Sequence, residues 1–130
     1  MHQPLIVTET FDHIFNAAYS QLTHTISFNK FETISLNGTP HYIEPLGWYV
    51  PLISNNSSFH MSSAKLEEYY EQGFVTTYDD LVLKKNYCQF KVNQSLDLNE
   101  KNYFTKYAAQ LNDTELLLQE YEKSRTPVAN

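Results

Sequence analysis

Five histidines, one cysteine and two clusters of carboxylates are the residues of this chain that could do chemistry. The histidines stand at positions 2, 13, 24, 41 and 60, and the thiol is Cys88. On a continuous helix His13 and His24 would share a face, but ~16 Å apart, too far to hold one ion. His41 and His60 fall on separate segments. No HxxH, HExxH or paired Cys/His spacing of the kind zinc centres use is present. The pattern predicts no metal centre and no cofactor. Cys88, between Tyr87 and Gln89, carries no thiol-nucleophile signature and reads as a small buried hydrophobe. In an enzyme, His41 and Cys88 would be the catalytic candidates, His41 as a general base.

The carboxylates cluster at Glu67, Glu68 and Glu71, and again at Asp79 and Asp80. Such runs form a solvated face or an acidic docking patch. A glycosidase pair would need two carboxylates in one groove, one of them in an apolar pocket. The three glycines are scattered at 38, 47 and 73, which excludes a phosphate-cradling glycine loop. No GxSxG elbow is present.

Bulk properties narrow the class. A chain of 130 residues, 42% apolar and 15% aromatic, is long and apolar enough for one packed domain. Ten tyrosines, eight phenylalanines and one tryptophan make the expected core ring-rich, and buried hydroxyls then need partners. A single cysteine excludes an internal disulfide and fits a reducing compartment. The first residues, MHQPLIVTETFDHIF, lack a basic region and a sustained apolar run, so no signal peptide is expected. No stretch approaches the ~20 apolar residues of a spanning helix. The expectation is a cytoplasmic protein without membrane contact.

Charge is uneven. Residues 1–83 hold nine acids and two bases, a net −7, whereas residues 84–130 hold seven bases and six acids, a net +1. An acidic body repels phosphate backbones, so direct nucleic-acid binding is not expected. The same field speeds encounter with a basic protein.

Periodicity suggests the elements that would position these residues. Phe11, Ile14, Phe15, Ala18 and Leu22 follow a helical stripe, which predicts an N-terminal helix over 8–23. Asn37-Gly38 between alternating runs predicts a type I′ hairpin, with Ile34 opposite His41 and Ser35 opposite Pro40. That register places His41 among Ile34, Leu36 and Ile43 as a half-buried residue. Pro40 makes the 39–44 strand a sheet edge. Glu44-Pro45-Leu46-Gly47 reads as a turn, Trp48 to Ile53 as an apolar strand and 54–58 as a loop. Ser63 and Gly73 bracket a short helix over 64–72, in which Tyr69 and Tyr70 cannot both be buried. Strands are expected at 74–78 and, broken near Lys84-Lys85, over 82–92. Asp97 with Glu100 opens a helix to about Gln110, and Asn112 with Glu115 opens another through Glu122.

The prediction is an α+β domain spanning 1–130, with a polar tail from about 125. A small antiparallel sheet is packed by an N-terminal helix and two C-terminal helices. The leading functional expectation is a small acidic protein-binding domain of the inhibitor, immunity or anti-defence type, masking a basic partner. Its contact residues would be Glu67, Glu68, Tyr70, Glu71, Asp79 and Asp80, with Tyr42 on the edge strand. The alternatives are a ligand-binding or enzymatic domain with a pocket of Phe15, His41, Trp48 and Tyr49, and a structural subunit of a larger assembly.

Overall fold

A computed structural model describes residues 4–16 and 23–125. The architecture is α+β, and every strand pairing is antiparallel. The chain divides into two compact units, Met1–Thr77 and Tyr78–Asn130.

Among the described residues, the first unit holds eight strands and one helix: β1 (Leu5–Val7), β2 (Phe11–Asn16), β3 (Thr23–Phe28), β4 (Thr33–Leu36), β5 (His41–Ile43), β6 (Gly47–Ser54), β7 (Ser57–Ser62), α1 (Ser63–Glu71) and β8 (Val75–Thr76). Strand β6 is the axis of the larger sheet. On one side β7 pairs with it from Tyr49 to Ser54. On the other side lie β5, opposite residues 47–49, and β4, opposite Leu52 and Ile53. The sheet continues from β4 through β1 to β8. Strands β2 and β3 form a separate two-stranded ribbon.

The β6–β7 hairpin turns on Asn55 and Asn56, at φ 50° and 64°, between the paired Ser54 and Ser57. Two consecutive left-handed residues are the signature of a type I′ turn, and asparagine tolerates that region best after glycine. The expected Asn37-Gly38 hairpin does not form. Residues 37–40 instead step between two strands that share one edge of β6. The Asn37 amide donates to the Pro51 carbonyl at 2.8 Å. In a strand, a residue's N–H and C=O point to the same side. The position of the missing Pro51 N–H therefore faces the gap between β4 and β5, where no ladder bond is needed. Gly38 fits there at φ 144°, because a Cβ would lie 3.2 Å from Pro51 Cγ. The expected edge does hold, since among the described residues β5 pairs only with β6.

Residues 11–16, expected to be helical, form β2. Their alternation is real: Phe11 and His13 are buried, while Asp12 and Ile14 face out. The stripe that suggested a helix shares Phe11 with this alternation. The six-pair ladder to β3 decides between them, because it pairs the facing backbone groups of both strands. A Ser27 hydroxyl donates to its cross-strand partner Asp12 at 2.6 Å. Residues 17–22 of the expected helix lie outside the described residues.

Helix α1 matches expectation within one residue. Ser62 is its N-cap, accepting from the Lys65 amide at 3.1 Å, and Gly73 follows Gln72 at φ 84°. The core of this unit joins Val7, Phe11, Phe28, Ile34, Leu52, Phe59, Met61, Tyr69 and Val75.

The second unit is a helical hairpin of α2 (Tyr78–Asp97) and α3 (Lys101–Arg125). The strand expected over 82–92 is therefore helical. Alternation would put Cys88, Phe90 and Val92 on one face. The helix buries Cys88 and Val92 with Leu81 and Ser95, at spacings of seven, four and three, and leaves Phe90 outside. The two helices expected over 97–122 are one. Phe104, Tyr107, Leu111, Thr114, Leu118 and Tyr121 alternate three and four apart through Asn112, so the packed stripe never breaks. No helix among the described residues is long and apolar enough to cross a membrane.

Candidate functional site

Four groups of side chains stand out once the strands and helices are in place. The first is the end of the sheet. Cross-strand register sets Tyr42 opposite Trp48 and His41 opposite Tyr49. Tyr42 and Trp48 are about half exposed, with ring centroids 5.7 Å apart in an edge-to-face contact. Because neighbouring residues point to opposite faces, His41 and Tyr49 lie on the face away from Tyr42 and Trp48. The expected pocket is thus divided between two faces. The side chain of Phe15, its fourth member, lies outside the described residues. His41 is exposed rather than half-buried, because the register that would have placed it beside Ile34 and Leu36 is replaced by pairing to β6. On its face it meets His60 of β7, with ring centroids 5.3 Å apart.

The second group is inside the first unit. His13 Nδ1 and the Tyr69 hydroxyl lie 2.6 Å apart, both residues buried. Tyr69 also packs on Phe11 at 4.7 Å and edge-on to His13 at 5.5 Å. Among the described residues the buried histidine is His13 rather than His41. Helical reading of 8–23 concealed it. Burial, and then the neighbouring Glu68 carboxylate, push the Tyr69 hydroxyl above its ordinary value of 10.0. The folded state thus holds this proton more tightly than the unfolded chain does. Its contribution is complete below about pH 10 and is lost as pH rises beyond that. Urea midpoints at about pH 9 and about pH 11 should therefore differ less in Tyr69→Phe than in the native chain. Part of the alkaline decline should persist. Tyr78 is also raised, first by the hydrogen bond its hydroxyl donates to Glu122 at 3.2 Å.

The third group is the expected acidic contact surface. Helix α1 carries Glu67, Glu68, Tyr70 and Glu71 at its surface, while Tyr69 turns inward, so one tyrosine of the pair is exposed as anticipated. Lys65 pairs with Glu68 at 3.4 Å. Asp79 and Asp80 belong to the second unit, in the first turn of α2, where the helix dipole favours acids. The expected patch is therefore spread over two units. The two catalytic candidates are divided in the same way, His41 in the sheet and Cys88 in α2. Cys88 is fully buried, with its thiol 3.8 Å from Gln110 Oε1.

The fourth group was not anticipated. Leu83, Tyr87 and Phe90 recur at helical spacing on α2 and are 66%, 52% and 59% exposed. They lie roughly opposite the buried stripe of Leu81, Cys88, Val92 and Ser95. Tyr87 meets Tyr107 edge-on at 6.1 Å, and Tyr107 stacks on Tyr103 at 6.5 Å, carrying the apolar surface onto α3. Lys91 and Lys106 sit over the Tyr87 and Tyr107 rings. Beside them is an open cleft of about 350 Å³, lined by Lys91, Gln94, Ser95, Glu100, Tyr103 and Tyr107. The spacing of Leu83, Tyr87 and Phe90 was available in the sequence, but reading the segment as a strand hid it. Comparison with protein-family models, curated proteins and solved structures gives no match.

Proposed function

We propose that the protein is a non-enzymatic protein-binding module of the inhibitor or immunity type, acting by covering a surface of its partner. The observation that supports this is the reversed polarity of α2. The helix buries a cysteine, a valine and a serine along most of its seam and leaves a leucine, a tyrosine and a phenylalanine in water. Large contiguous apolar surface on a soluble fold marks an interaction site. Covering the exposed part of each of these three side chains is worth about 1–2 kcal/mol. Tyrosine and phenylalanine flanked by lysine stems suit the centre of a protein interface. The acids of residues 1–83 favour a basic partner, chiefly through the rate of encounter. In this reading Glu67, Glu68 and Glu71 tune salt dependence, while the α2 stripe supplies affinity.

The test is capture from host lysate on the immobilised chain at low and high salt, followed by affinity measurement on the protein captured. The native chain should retain one stoichiometric partner. Each of Leu83→Ser and Phe90→Ser should weaken it roughly 30-fold, the effect of a central interface residue. Helix content by circular dichroism should stay unchanged, since both side chains already face water. An unchanged affinity in the double variant, or no partner at either salt, would refute the proposal.

A further inference from the structure

We propose that His41 and His60 form a two-histidine site for a divalent transition-metal ion, zinc foremost. The residues are nineteen apart in sequence, and β6 brings them together. His41 stands opposite Tyr49 on one side of that strand, and His60 stands opposite Pro51 on the other. Alternation puts all four on one face of the sheet. The imidazole centroids are 5.3 Å apart with ring planes at 76°.

That separation suits an ion. Two ring nitrogens at about 2.0–2.1 Å from a tetrahedral zinc place their ring centroids roughly 5 Å apart. The rings need only turn about χ2, a broad torsion in histidine, and both are exposed. Neither ring is engaged in a hydrogen bond among the described residues, so turning costs no existing bond. Pro51, the cross-strand partner of His60 on β6, is short and buried. Among the described residues no three His, Cys, Asp or Glu side chains converge, so solvent fills the remaining positions of an open, exchangeable site. Imidazole pairs select zinc, nickel or copper over magnesium or calcium, which prefer oxygen. The first unit carries seven acids and two bases, a field that concentrates cations.

The consequence for the fold is a clasp. Strand β5 has three residues and, among the described residues, pairs only with β6. An ion shared by His41 and His60 ties β5 to β7 across the central strand.

The test uses the complete, tag-free chain and zinc chloride, with calorimetry for affinity and histidine ring resonances for location. Saturable binding of one zinc per chain is expected, with the His41 and His60 resonances shifting together and the melting temperature rising with zinc. His41→Ala and His60→Ala should each weaken zinc at least tenfold, since both residues act on one ion. His24→Ala should bind as the native chain does, and magnesium should produce none of these effects. Both alanine substitutions fall on exposed positions, so folding of the variants is checked directly by circular dichroism. The proposal is overturned by affinity within tenfold of the native value in either variant, by resonance shifts confined to other histidines, or by no binding at millimolar zinc.

Discussion

Tyr69→Ala is expected to remove about 3–5 kcal/mol of stability, the range for deleting a buried aromatic ring. Tyr69 is 8% exposed, and its ring is in contact with those of Phe11, His13 and Phe74. Truncation therefore opens a cavity bounded by three rings. It also takes away the hydroxyl 2.6 Å from His13 Nδ1. The two losses can be separated. Tyr69→Phe keeps the ring and removes only the hydroxyl, and should cost about 1–3 kcal/mol, the penalty for breaking one buried polar contact. Urea unfolding of both variants against the native chain measures the difference as a shift in midpoint at constant slope. Equal losses in the two variants would place the whole effect in the polar contact and none in packing.

Phe28→Ala should be similarly costly, about 3–5 kcal/mol, but its consequence is more local. Phe28 ends β3, is 1% exposed, and touches both Phe11 of its own ribbon at 5.1 Å and Phe59 of β7 at 5.4 Å. A two-stranded ribbon has little stability of its own in water. The β2–β3 pair therefore depends on its inner face, Phe11 and Phe28 with His13 and Ile26, for its attachment, since its outer face carries Asp12, Ile14, Thr25 and Ser27 to solvent. Amide exchange is the informative measurement. Residues 11–16 and 23–28 should lose protection first, while the β6–β7 ladder keeps more of its own. Uniform loss across the unit would mean that the ribbon and the sheet unfold as one.

Much of the local structure was legible in the sequence. The short helix could be read, to within one residue, from Ser63 and Gly73, because a cap and a left-handed glycine act on their own neighbours. Pro40 correctly marked an edge for the same reason. The failures were those of pairing. Asn37-Gly38 is a strong turn signal, yet Asn55-Asn56 makes the tight hairpin, because β4 and β5 both find a longer partner in β6. Phe11–Asn16 and Tyr87–Val92 each fit two periods at once, and only the strand or helix lying beside them decides. Of the candidate sites, the apolar stripe on α2 was present in the spacing of Leu83, Tyr87 and Phe90. The His41–His60 and His13–Tyr69 contacts were not. Both depend on elements packed against each other across 19 and 56 residues of chain, information that no local pattern contains.

The central position of β6 also sets an order in time. A hairpin closed by two residues forms in about 1–10 μs, so β6 and β7 can pair as soon as both have been made. Strand β5 joins across a tight turn, and β4 follows by folding 37–46 around it, each step closing a longer loop. Strand β1 is synthesised before any of them, and its pairing to both β4 and β8 cannot be complete until β8 has been made. One of its partners, β8, pairs Thr76 with Ile6, 70 residues later. At ribosomal rates of about 5–20 residues per second, that interval is roughly 4–14 s. Through it Leu5, Ile6 and Val7, two of which are among the most buried residues of the finished sheet, have no completed place to go. The nascent chain is therefore expected to be open to capture by chaperones at β1 during that interval.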